Sequence, residues 1–302
     1  MNANSISVHN LRKRFPGFLL DDISFQVTCG RIVGFIGENG AGKSTTIRLI
    51  LDQLRRDGGS IEIFGEDNAR YLQHGSIGVV FDECKFHGVL NAQDLSEIML
   101  DIYSTWDQTL YAQYLKQFGI PPAQRIKDLS KGMKMKLSII CAISHHPDIL
   151  ILDEATTGLD PVVRDEILDL FLDFIQDERH SVLFSTHIIS DIQKIADYVV
   201  LLHNGKLIFE EQKDEMIYNY GIIRCKKADF SQINPDDYLI SRETTLSMEC
   251  LVHDREAVRK KYINFIVDNA SIEDIMLFYS DILPPPTQCV EVGASCSTPL
   301  TG

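Results

Sequence analysis

Short apolar runs separated by glycine-rich or polar breaks recur through the first two-thirds of the chain, which is the pattern of buried strands alternating with helices. Ser5–Leu11 and Ile23–Val27 read as early strands, and Arg31–Ile36 as a buried strand running into a glycine-rich turn. The spacing predicts a helix from about Lys43 to Leu54, then short strands at Ile61–Phe64 and Ile77–Phe81. Residues 84–146 have a different texture. Asn91 can cap a helix through Leu100, Trp106–Phe118 repeats its apolar residues at helical spacing, and Ser130–His145 reads as a third helix stopped by Pro147. The strand pattern resumes at Ile149–Leu152 and Ser181–Ser185. Tyr198–Leu202 and Lys206–Glu210 then flank His203-Asn204-Gly205, a hairpin signal of the Asn-Gly kind.

These elements predict an α/β unit over residues 1–212 with a mainly helical insert at about 84–146. Residues 213–280 carry no phosphate-binding glycines, and their short alternating segments predict a small C-terminal α+β appendage. The polar, Pro/Ser/Thr/Gly-rich stretch 281–302 is expected to be a disordered tail. No internal repeat is visible.

Composition adds exclusions. The chain has 302 residues, 44% of them hydrophobic, and no stretch approaches the roughly 18 consecutive apolar residues of a membrane span. Met1–Phe15 lacks the apolar core of a signal peptide. The expectation is a soluble chain whose membrane role, if any, comes through a partner. A net charge of −14 argues against a broad nucleic-acid surface. Cys29, Cys84, Cys141, Cys225, Cys250, Cys289 and Cys296 form no CxxC pair and no zinc spacing, so they read as free thiols in a reducing cytoplasm.

Candidate chemistry begins at Gly37-Glu38-Asn39-Gly40-Ala41-Gly42-Lys43-Ser44, which matches the P-loop pattern GxxxxGK[ST] between a strand and a helix. Glycines let backbone N–H groups turn inward around phosphates, and a helix N-terminus adds a favourable dipole. Gly37, Asn39, Gly40, Ala41, Gly42, Lys43, Ser44 and the following Thr45 are therefore the candidate contacts for ATP. Lys43 is placed to reach the β- and γ-phosphates and Ser44 to ligate Mg²⁺. The apolar run Ile149–Leu152 ends abruptly in Asp153-Glu154. Carboxylates at the end of a buried strand are costly unless a cation or hydrogen bonds await them. Beside a P-loop, that points to Mg²⁺ at Asp153 and a water-activating base at Glu154.

The order Gly37–Ser44, Leu129-Ser130-Lys131-Gly132-Met133, Asp153-Glu154, Gly158-Leu159-Asp160, Ser185-Thr186-His187 resembles the ABC ATPases over roughly residues 5–212. The resemblance implies a RecA-like P-loop core with an antiparallel β subdomain and a helical subdomain. It implies that Phe15 stacks on adenine, with Phe18 a second candidate. It gives Ser130 and Gly132 to the signature loop that caps the γ-phosphate bound by the other subunit, Asp160 to the loop between the sites, and His187 to the γ-phosphate. Plainer readings stand beside these: Phe15 as core, Ser130 and Asp160 as helix N-caps, His187 as a loop histidine.

One chain carries one P-loop and one signature motif, so the resemblance implies a head-to-tail pair of such domains, a homodimer or a pseudo-symmetric heterodimer. It also implies an integral membrane permease on a separate chain, with this subunit peripheral on the cytoplasmic face of the membrane. No nucleic acid is expected as a partner. Leu-Ser-Lys-Gly-Met departs from the commoner Leu-Ser-Gly-Gly-Gln and is similar to the branch of bacterial ABC-2-type exporters. Asp82-Glu83 occupies the place where the family usually has Gln, which makes Asp82 a candidate Mg²⁺ contact where the loop meets the permease. Two other readings remain: a soluble ABC ATPase outside transport, and a regulatory module that binds ATP with weak hydrolysis.

Overall fold

The computed structural model describes residues 4–73 and 76–282. The chain starts with β1 (Asn4–Phe15) and β2 (Phe18–Thr28), an antiparallel hairpin turned at Pro16-Gly17. Ile6, Val8 and Leu11 of β1 and Leu20, Ile23, Phe25 and Val27 of β2 are buried. Both strands outrun their apolar stretches. Pairing continues through Lys13↔Leu20 to Phe15↔Phe18, so backbone hydrogen bonds carry the hairpin past its hydrophobic part.

Next come β3 (Ile32–Ile36) and α1 (Lys43–Ile50). The helix stops short of Leu54 because Asp52 adopts a left-handed backbone, with φ 51°, and breaks the i→i−4 ladder. Then follow β4 (Gly58–Ile63), β5 (Glu66–Asp67), the single turn α2 (Asn68–Tyr71) and β6 (Ile77–Val80). Strand order β2-β1-β4-β5 makes the first sheet.

The helical insert consists of α3 (Ala92–Ile102), α4 (Gln108–Gln117) and α5 (Lys131–Ile143). Asn91 and Asp94 close a reciprocal capping box on α3. The second helix begins at Gln108 instead of Trp106 because Asp107 caps it, accepting from Leu110 N at 2.8 Å. Trp106 is thereby released into a core with Leu95, Tyr111, Leu115 and Leu137, where its indole N–H donates to Ser96 Oγ at 3.2 Å.

The chain returns to the main sheet through β7 (Ile149–Asp153), α6 (Pro161–Phe174), β8 (Ser181–Thr186), α7 (Ile189–Ile195), β9 (Tyr198–His203) and β10 (Lys206–Gln212). The strand order is β10-β9-β3-β8-β7-β6, parallel except for the β9–β10 hairpin. That hairpin turns at Asn204-Gly205, both with positive φ, as its right-handed twist requires. In β3, β7 and β8 every residue is buried, as expected of strands covered on both faces.

After α8 (Lys213–Asn219) a separate antiparallel sheet forms from β11 (Gly221–Cys225), β12 (Ile240–Glu243), β13 (Met248–Val252) and β14 (Ile266–Asn269), in the order β12-β13-β11-β14. Helix α9 (Arg255–Lys261) precedes β14, and α10 (Ile272–Ile282) ends the described chain. Side-chain alternation divides this sheet. Ile222, Leu251 and Phe278 share one core with Phe171, Ile192 and Ile195, whereas Ile223, Cys250 and Val252 pack with Val258 and Tyr262. Of the tail expected from residue 281, residues 281 and 282 close α10, and 283–302 lie outside the described residues.

Glu249, nearly buried on β13, accepts from Arg224 Nε at 2.9 Å and from Arg242 Nη2 at 2.7 Å. Burial pushes its carboxyl up, but the hydrogen bonds from Arg242 and Arg224 outweigh this and hold it below the ordinary glutamate range. A lowered folded value means stabilisation that is complete above the unfolded pKa and lost as pH falls through the folded one. Glu249→Gln is expected to cost about 1–3 kcal/mol at neutral pH. The thermal midpoints of variant and wild type should then converge as pH falls through the lowered folded value.

Candidate functional site

Three neighbouring strands set the site. In the order β3-β8-β7, the registers Ile36↔Thr186 and Asp153↔Ser185 align their carboxyl ends. The residues that follow each strand therefore meet at one edge of the sheet, where open parallel sheets bind ligands. The loop after β3 wraps into the N-terminus of α1. Gly42 caps that helix with φ 113°, and a Cβ there would lie 2.7 Å from Leu20 Cδ1. At Gly37 a Cβ would stand 2.3 Å from the Leu202 carbonyl oxygen. Only glycine fits these two positions, which leaves the loop's backbone free to curl around a ligand.

A cleft of about 900 Å³ opens over this loop. Among its lining residues are Phe15, Phe18, Asn39, Gly40, Gly42, Lys43, Ser44, Thr45, Asp82 and Glu154. Gly37 and Ala41 lie beneath it: Gly37 O accepts from Lys43 Nζ at 2.6 Å, and Ala41 O from Gly205 N at 3.0 Å. Phe15 and Phe18 face each other across the hairpin turn with ring centroids 6.4 Å apart. Their proximity to the P-loop comes from β2, since Phe18 and Leu20 pack against Gly42.

Lys43 is 5% exposed and fully engaged. Besides Gly37 O, its ammonium donates to Glu38 O at 3.2 Å and pairs with Glu154 Oε1 at 3.4 Å. The Ser44 hydroxyl donates to Asp153 Oδ1 at 3.1 Å. Burial pushes the Asp153 carboxyl above its ordinary range; the Ser44 hydroxyl opposes this, while the charges of Glu154 and Asp82 add to it. Two hard oxygen donors, one a desolvated carboxylate, suit a divalent cation. Asp82 stands at the exposed rim, where Lys85 Nζ approaches its Oδ1 to 3.8 Å. Among the described residues, no cluster of three or more His, Cys, Asp or Glu could hold a metal on its own.

Glu154 Oε2 lies 2.7 Å from His187 Nδ1 and 2.6 Å from Thr157 Oγ1. With the carboxylate ionised, Nδ1 must be the donor. Thus Lys43, Ser44, Asp153, Glu154 and His187 meet in one place. Asp153 and His187 do not line the cleft themselves but touch its lining residues Ser44 and Glu154, whereas Ser130, Gly132 and Asp160 are not among the lining residues. Ser130 caps α5 by accepting from Met133 N at 3.2 Å, and Asp160 caps α6 by accepting from Val163 N at 3.1 Å. A Cβ at Gly132 would sit 3.1 Å from Val163 Cγ1, so the segments around these two caps pack together.

Sequence reasoning missed Arg48, Leu54 and Asn204, which also line the cleft, and Thr157. Asn204 could have been found from the Asn-Gly hairpin signal. Arg48 sits one turn after Ser44 on the same helix face, a spacing that was available. For Leu54 and Thr157, no periodicity gave a signal.

The sequence pattern of the family described as ABC transporter matches residues 20–157. The chain is 34% identical over 202 residues to the bacitracin transport ATP-binding protein of Bacillus licheniformis, covering 65% of this chain and 66% of that protein. It is 32% identical over 285 residues to an uncharacterized ABC transporter ATP-binding protein of Methanocaldococcus jannaschii, covering 90% of this chain and 98% of that one. A solved structure of an ATP-binding subunit of an ABC transporter superposes with a TM-score of 0.63 at 27% identity, over 70% of this chain and 91% of that one.

Proposed function

This chain belongs to the ABC transporter ATP-binding proteins, and we propose that it powers export through an integral membrane permease on a separate polypeptide. It is an ATPase of the P-loop ABC fold, and the relative named for bacitracin transport supports transport as the work that hydrolysis drives. The observation that carries the reading is the chain of contacts that joins Lys43 to Glu154, Glu154 to His187 and Ser44 to Asp153 at the carboxyl ends of β3, β7 and β8. No helix among the described residues is long and apolar enough to cross a membrane, which fits a spanning partner on another chain.

In this reading ATP lies in the cleft, its adenine against Phe15 or Phe18, with the backbone of residues 37–45 around its phosphates. Lys43 leaves Glu154 and the two loop carbonyls for the phosphates. Ser44 and Asp153, with Asp82 at the rim, would hold Mg²⁺, which when bound neutralises phosphate charge and aligns the leaving group. Glu154 takes a proton from the attacking water, and His187 addresses the γ-phosphate. Ser130, Gly132 and Asp160 stand outside this cleft, which supports a second copy placed head-to-tail so that they complete its site.

The test is reconstitution in vesicles with a candidate permease, a multi-span membrane protein whose gene adjoins this one, this chain facing the outside of the vesicle. External ATP should drive cargo into the lumen. Movement out of the lumen would overturn the direction, and a chain that never binds that membrane protein would overturn the separate permease.

A further inference from the structure

Strand β7 ends at Asp153, and the next residue breaks its geometry. Glu154 has φ 55°, a left-handed conformation unfavourable for a non-glycine residue, which persists only where neighbours enforce it. The enforcing contacts are visible on both sides. Glu154 N donates to Ser185 O at 2.9 Å, and Thr157 N donates back to Glu154 O at 3.1 Å, closing a turn. The wholly buried Thr156 donates its hydroxyl to Asp191 Oδ2 of α7 at 2.7 Å, which fixes that turn to the helix following His187.

Within this rigid turn the Thr157 hydroxyl reaches back to Glu154 Oε2 at 2.6 Å. The same oxygen lies 2.7 Å from His187 Nδ1. A carboxylate oxygen offers two in-plane lone-pair positions, so these donors fill Oε2. The other oxygen is treated differently. Oε1 is buried, makes no hydrogen bond, and faces only the Lys43 ammonium at 3.4 Å.

We infer that Thr157 is a positioning residue for Glu154: its hydroxyl, with His187, saturates Oε2 and leaves Oε1, the oxygen beside Lys43, as the basic atom of this carboxylate that is free to take a proton. This rests on the reading of Glu154 as the general base. Once Lys43 has moved to the phosphates, Oε1 accepts a proton from water. That water's oxygen bonds the γ-phosphorus as the bond to the bridging oxygen breaks, and ADP departs with that electron pair. His187 alone would be a weaker anchor, because it sits on an exposed loop and one bond leaves the carboxylate free to swing. Thr157 supplies the second bond from inside the turn.

Steady-state ATPase of the full chain tests this with Thr157→Val, Thr157→Ala and Thr157→Ser, beside Glu154→Gln. Val and Ala should lower kcat about tenfold with KM for ATP within about twofold, because positioning acts on the chemical step. Ser keeps the hydroxyl and should restore at least about half the wild-type kcat. If Val does not give a folded protein by thermal melting, Ala and Ser decide. Wild-type kcat in Val and Ala, a KM change that accounts for the whole loss, or no rescue by Ser overturns the inference. An inactive Glu154→Gln beside unaffected Thr157 variants overturns the positioning role alone. Wild-type turnover in Glu154→Gln removes the general base, and the role of Thr157 with it.

Discussion

Replacing Glu154 by Gln is expected to lower ATP turnover by roughly 10²–10⁴-fold, the usual contribution of a general base, while ATP binding survives. The amide is nearly isosteric with the carboxylate, and its oxygen can still accept from Thr157 and His187. The other position becomes an NH₂ group, which cannot take a proton from water. Binding persists for a reason visible at Oε1. In the free chain Glu154 competes for the Lys43 ammonium at 3.4 Å, and the neutral amide ends that competition. With ATP joining two copies and hydrolysis parting them, as proposed above, an ATP-bound head-to-tail dimer should then accumulate. Phosphate release, equilibrium binding of ATP and size-exclusion chromatography with ATP measure the three consequences. Unchanged phosphate release would remove Glu154 as the base, and a chain that stays monomeric at saturating ATP would count against the head-to-tail pair.

Lys43→Ala is expected to fail one step earlier, at binding. The ammonium is 5% exposed, so its charge is almost fully desolvated and its partners are few and close. Truncating one member of a buried charged contact costs roughly 2–5 kcal/mol, which is about 30-fold or more in affinity for ATP. Turnover falls with it. The same change leaves Glu154 Oε1 buried with no counter-charge, so the nucleotide-free variant should also melt at a lower temperature. Titration calorimetry with ATP checks the first effect and thermal denaturation the second. Wild-type affinity in this variant would mean that the cleft over residues 37–45 is not where the phosphates lie. The contrast between the two variants separates binding from chemistry.

Much of the site was legible because phosphate binding needs special backbone at consecutive positions. The glycines of residues 37–42 are adjacent in sequence, and so are Asp153 and Glu154 at a strand end. Such signals survive without tertiary information. Helix caps were legible for the same reason: Asn91, Ser130 and Asp160 each satisfy a backbone N–H two or three residues away. Element ends were less so. Asp52 stops α1 by a backbone conformation, and Asp107 starts α4 two residues after Trp106 suggested it should begin.

The appendage shows where periodicity runs out. Its strands were expected as short alternating segments, yet which face of β11 meets the main domain depends on a partner surface built from α6 and α7. Ile222 and Ile223 are equally apolar neighbours, and only packing sends the first to the core with Phe171 and Ile192 and the second to Val258 and Tyr262.

The P-loop and the acidic strand end are properties of the sequence itself, because each is a local run whose chemistry needs no distant neighbour to be recognised, whereas His187 stood out only through the family resemblance. Their union into a site is a property of the fold: β3, β8 and β7 become neighbours only through parallel pairing, which brings Lys43, Glu154 and His187 within reach across more than a hundred residues of chain. The left-handed turn at Glu154 and the Thr157 hydroxyl on its Oε2 belong wholly to the tertiary structure. A backbone conformation unfavourable in isolation exists only where Ser185, Asp191 and His187 close around it.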